Sequence, residues 1–134
     1  MNITSSILIA EKMLIEMLEK HSVIGKMISG VYVYLPENVK LPYIHIHKIS
    51  TKDYSTKTFQ STEIKINLHC HSNEKGNTQL SIIQDEITRM FANKRFDYEG
   101  NIFLSSLTTS EIAPSKKGSN YTLNLDINLK HMEN

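Results

Sequence analysis

Two short motifs carry the residues best suited to chemistry, His45-x-His47 and His69-x-His71. Side chains repeat every second residue along a strand, so each motif projects both imidazoles from one side. Two registers of a hairpin joining these segments put all four rings on one face. In one of them His45 faces His71 and His47 faces His69, with Cβ atoms about 5 Å apart. A His-x-His pair with a neighbouring-strand His is competent to hold zinc through neutral ring nitrogens. The catalytic reading is therefore a small metal-binding enzyme using His45, His47, His69 and His71. Against it, the same alternation places Lys65 and Ile49 on that face, and leaves Asp53 and Glu63 several residues along. No carboxylate is thus expected to orient the rings. Polar alternation on a solvent-facing strand side accounts for all four histidines, and the expectation is no metal and no cofactor.

The other reactive residues are more isolated. Cys70, the single cysteine, shares the apolar alternation of Ile66 and Leu68, where a thiol behaves as a small hydrophobe. One cysteine excludes an intramolecular disulfide framework and suits a reducing compartment. No serine sits in a nucleophile-elbow pattern and no glycine-rich loop cradles phosphate. Glu63, Glu111 and Asp126 read as solvated acids, so no catalytic residue is assigned. Only Arg89 and Arg95 offer forked contacts, the other basic residues being lysines, which argues against sequence-specific nucleic-acid recognition. Lys+Arg 15 against Asp+Glu 14 gives a net charge of +1, which excludes a strongly electrostatic partner as the main driving force. The longest early apolar run, residues 7–10, is far short of the roughly 20 residues that span a bilayer. Glu11, Lys12 and Glu16 interrupt any signal-peptide pattern, so a bacterial host cytoplasm, or a particle assembled there, is expected.

The elements that position these residues follow from hydrophobic period. Ile7, Ala10, Leu14 and Met17/Leu18 recur at helical spacing over about residues 6–20, with Thr4, Ser5 and Ser6 available as caps. Val31 to Tyr34 reads as a strand ended by Pro36. Residues 43–54 and 59–72 read as two arms of a long antiparallel hairpin, its tip lacking the Gly or Asn that fixes a tight turn. After a polar turn containing Gly76, Leu80, Ile83, Ile87 and Met90/Phe91 mark a second amphipathic helix over 78–92, with Asn93 as a left-handed cap. A turn at 98–101 leads to a weakly patterned strand over 102–112. A flexible loop at 114–120 leads to a cleanly alternating one over 121–129. The predicted fold is α+β, one domain over residues 1–134. It is a largely antiparallel or mixed β-sheet with two amphipathic helices packed on one face and a long projecting β-hairpin.

Such an open sheet exposes two edges, and an exposed edge invites pairing with another chain. Tyr54 and Phe59, large rings near the hairpin tip, are the residues expected at contacts between copies.

In order along nearly the whole chain, the pattern resembles the tail-terminator or tail-completion proteins of long-tailed bacteriophages, also found in gene transfer agents and prophages. The residues that carry the resemblance are the N-terminal helix, Val31-Tyr32 to Leu35-Pro36, and Leu41-Pro42-Tyr43-Ile44-x-Ile46. Ile64-x-Ile66-x-Leu68, the helix with Leu80, Ile83 and Ile87, Gly100, and the strand Tyr121 to Leu129 complete it. His45 and His47 depart from the family pattern after the Pro-Tyr motif. The resemblance implies a structural virion-assembly protein. It would form a homo-oligomeric ring, hexameric in the family, that caps the tail tube and stops its polymerisation. Its implied partners are copies of itself, the major tail-tube protein and the head-connector or stopper protein, with DNA passing through the ring. Another neck component, such as a head-closure protein, shares this size and topology. If the histidine face lay between subunits, protonating the histidines below a pKa of about 6.5 would disfavour the ring.

Overall fold

The computed structural model describes residues 3–56, 61–72, 77–115 and 120–132. Helix α1 spans Ile3–Glu19 and a single turn, α2, spans Ile24–Met27. Six strands follow: β1 (Val31–Tyr32), β2 (Tyr43–Asp53), β3 (Ser61–His71), β4 (Lys94–Tyr98), β5 (Asn101–Pro114) and β6 (Tyr121–Met132). Helix α3, Thr78–Phe91, lies between β3 and β4. All six strands form one mixed sheet in the order β1-β2-β3-β6-β5-β4, parallel only between β1 and β2. The α+β class holds, with two elements that hydrophobic period did not mark. Both are short: one turn at α2 and the edge strand β4, whose Phe96 and Tyr98 are only half-buried.

Period explains the rest. Ala10, Met13, Leu14 and Leu18 bury one face of α1 against β1–β3, and Leu80, Ile83, Ile87 and Phe91 bury one face of α3 against β5 and β6. Each of the larger of these side chains contributes about 1.5–3 kcal/mol by leaving water. The sheet answers with Ile64, Ile66, Leu68 and Cys70 on β3 and Leu123, Leu125, Ile127 and Leu129 on β6, all buried. Both helices therefore lie on one side, and among the described residues the other side of the sheet is bare.

Three local devices fix the frame. Glu19 at the end of α1 accepts the Val31 N–H at 3.0 Å, and the Ile44 N–H donates to the Gly30 carbonyl at 3.1 Å, anchoring β1 beside β2. Asn93 at φ 53° ends α3, as expected for a left-handed cap. Glu99 at φ 48° and Gly100 at φ 80° close the β4–β5 hairpin, two consecutive left-handed residues as a tight hairpin turn requires.

Candidate assembly surfaces

The β2–β3 hairpin pairs His45 with His69 and Tyr43 with His71. A bulge at His47 then shifts the ladder, so that Lys48 faces Asn67 and Asp53 faces Thr62. One extra residue reverses the alternation of everything beyond it. This corrects the expected composition of the histidine face. Ile49, assigned to it by simple alternation, instead packs against the core, and Asp53 turns to the same side. Lys48, Ser50 and Lys52 take their places on the bare face. A shallow hollow of about 240 Å³ there is lined by Lys48, Ser50, Lys65, Asn67 and Asp126. Nothing in the local sequence marks the bulge, since no glycine stands near it.

All four histidines do share the bare face. Their rings form a continuous row with two tyrosines: Tyr32–Tyr43 at 6.3 Å, Tyr43–His71 at 5.1 Å, His71–His69 at 6.2 Å, His69–His47 at 4.3 Å and His47–His45 at 5.8 Å between centroids. His47 and His69 are stacked, their planes 16° apart. Stacked rings hold their nitrogen lone pairs in nearly parallel planes that do not converge on a shared point, which is a poor start for chelation. Among the described residues no group of three or more His, Cys, Asp or Glu is arranged to hold a metal ion. Partial burial holds the His69 pKa below its usual value, reinforced by the neighbouring His47, His71 and His45 and opposed by Asp126. Burial likewise lowers His71, with His45 adding to it. His69 and His71 thus resist gaining charge.

Cys70 points into the core, and burial pushes its thiol up to about 12. It is no nucleophile at neutral pH. Tyr54 is exposed on the bare face, with the Lys52 and Lys130 ammonium groups 5.1 and 5.9 Å from its ring centroid. Phe59 lies outside the described residues.

Two open edges were expected; residue types did not reveal where along the strands they lie. β1 covers only Ile44 and His45 of β2, and β4 covers only residues 101–105 of β5. Among the described residues no strand pairs with the outer sides of residues 46–53 or 106–114. Two bare segments of nearly equal length therefore lie on opposite edges of one sheet.

The family model described as tail completion protein gp17 matches residues 12–128. The chain belongs to that family. This tail completion protein is also similar in fold to a chain from the "Virion of native gene transfer agent (GTA) particle". That likeness has a TM-score of 0.75 at 11% identity, over 87% of this chain and 90% of that one. At such low identity it speaks to the fold alone. No curated protein matches this chain. Membership makes the chain a structural protein of phage-tail assembly. Among its described residues no helix is long and apolar enough to cross a membrane.

Proposed function

We propose that this tail completion protein forms a closed ring, hexameric by analogy with its family, that caps the tail tube when the tube reaches its length. One rim of the ring blocks addition of further tube protein, and the other presents a surface to the head connector. Copies of the chain, the major tail-tube protein and the connector or stopper protein are its partners, with DNA passing through the ring. It works by shape and contact, without a cofactor, during assembly in the host cytoplasm. Tyr54 and Phe59 belong to the contacts between copies.

The observation that carries this reading is the pair of unpaired segments on opposite edges of one sheet. Two different patches on one subunit make a heterologous contact, which closes into a ring when its repeated rotation completes a full turn. A self-complementary single patch would instead give a dimer. Native mass spectrometry of the purified chain, with negative-stain images of the same sample, tests it. A single species of several copies with a central hole is expected; a dimer or a monomer with enzymatic turnover overturns the reading.

A further inference from the structure

We infer that neighbouring copies join by adding the outer edge of β2 to the outer edge of the next copy's β5. The ladder is antiparallel, with Ser50 opposite Glu111 and Ile49 opposite Ile112. This rests on the ring reading and assigns the contact within it.

The strand directions come first. Successive antiparallel pairings of β2 with β3, β3 with β6 and β6 with β5 leave β5 antiparallel to β2. A neighbour that continues the same sheet therefore meets β2 with an antiparallel β5. Backbone polarity agrees. The Tyr54 N–H donates inward to the Ser61 carbonyl at 2.9 Å, so the alternate residues 49, 51 and 53 turn their N–H and C=O outward. The Ser115 N–H donates inward to the Asn120 carbonyl at 2.8 Å, so Ser110 and Ile112 turn their N–H and C=O outward, and Pro114 turns out its carbonyl alone.

The register is set by what flanks each bare segment. At equal height, β4 of one copy would occupy the lane of the neighbour's β2, and β1 of that neighbour would occupy the lane of β5. Sliding the neighbour along the strands removes both collisions. The slide must be an even number of residues, because the two core faces have to stay on one side. A slide of two leaves Asp53 level with Lys94 of β4, which still collides. A slide of four, the step from Lys65 to His69 on β3, leaves Asp53, the last residue of β2, level with Leu107 and short of β4, and carries β1 past Pro114 at the other end.

That register is complementary in detail. On the core side the half-buried Ile49 meets the half-buried Ile112, and Thr51 meets Ser110. On the bare side exposed Glu111 lies opposite Ser50 and diagonal to both Lys48 and Lys52, within reach of long side chains. The slide also suits closure. Four residues over the four continuous strands β2, β3, β6 and β5 is one residue per strand, the ratio found in eight-stranded barrels whose strands tilt by about 36°.

Ser50 and Glu111 form a non-hydrogen-bonded pair in this ladder, so cysteines there come within disulfide range. The test is the full chain carrying Ser50→Cys and Glu111→Cys, oxidised with diamide and run on a non-reducing gel, beside native mass spectrometry. Buried Cys70, its thiol pushed up to about 12, stays silent. A control with Ser50→Cys and Ser106→Cys places both thiols on the same edges and face, four residues out of register. The expected result is a covalent ladder ending at the size of the native oligomer, with at least a tenfold lower yield for the control. Thr51→Pro, which removes one outward N–H without touching an inner hydrogen bond, is expected to dissociate the ring. A ring that forms without the Ser50–Glu111 cross-link, or cross-links equally in the control, overturns the register and leaves the ring reading standing. A native chain that forms no oligomer overturns both.

Discussion

Replacing His131 by alanine tests how the two ends of the fold are held together. His131 is 2% exposed, on the core side of β6, with its ring stacked on Phe103 at 4.7 Å between centroids. Its Nε2 lies 2.8 Å from Asn101 Oδ1 and its Nδ1 lies 2.8 Å from Ser6 Oγ. The Asn101 Nδ2 donates to the carbonyls of Tyr98 and Glu99 at 3.3 and 3.1 Å, which fixes the amide orientation. Oδ1 therefore accepts from Nε2–H, and in the neutral ring Nδ1 accepts from the Ser6 hydroxyl. One imidazole thus ties α1 and the β4–β5 turn to β6. Two hydrogen bonds at about 1 kcal/mol each and a ring stack of about 1 kcal/mol give a loss of about 3 kcal/mol for His131→Ala. Ser6→Ala removes the bond to His131 Nδ1, a loss of about 1 kcal/mol for that contact. Urea denaturation followed by circular dichroism reads both, together with the double variant, in which the two losses should fall short of additive by about 1 kcal/mol. A His131→Ala loss below about 0.5 kcal/mol, or strict additivity with Ser6→Ala, would refute the network as a structural tie.

Gly25→Ala is expected to destabilise the fold by about 1–3 kcal/mol, because its Cβ would collide with the Glu19 carbonyl oxygen where α2 docks on α1; an unchanged thermal midpoint would count against that packing. The histidine row predicts a pH dependence of definite sign. The His69 and His71 pKa values are lowered in the folded chain, so the folded state binds protons less readily than the unfolded one. Their stabilising contribution is complete above the unfolded pKa of about 6.5 and is lost as pH falls through the folded values. The urea midpoint should drop between pH 7.5 and 5.0, and by less in His69→Asn; equal drops would show that other groups govern it. Cys70 should resist a thiol reagent in native buffer at pH 7.5 and react promptly in urea, so rapid labelling of the native chain would contradict its burial.

Most of the architecture was legible wherever one face of an element is buried. The α3 stripe of Leu80, Ile83, Ile87 and Phe91 and the β6 alternation from Leu123 to Leu129 each show the period of their element, and both lie as that period requires. Legibility failed where the period breaks. The bulge at His47 reverses the second half of β2 and moves Ile49 to the core, while a second shift between Leu107 and Thr109 explains the weak pattern of β5. Neither carries a glycine, so ladder geometry rather than residue type creates them. The histidine row was legible because His45, His69 and His71 lie where the alternation of β2 and β3 is still unbroken, on the near side of the bulge. The unpaired edges were expected in kind but not in place, because an edge is defined by where its neighbours stop. That β1 ends at Tyr32 and β4 begins only at Lys94 is a property of the whole sheet.

Tail length in particles assembled with and without this chain tests the central claim most directly. If the protein ends tube growth and joins tail to head, electron micrographs of particles lacking it should show tubes of widely varied, often excessive length, unattached to heads. Supplying the chain in trans should restore one length and the attachment. Tails of normal, uniform length joined to heads in its absence would contradict the account.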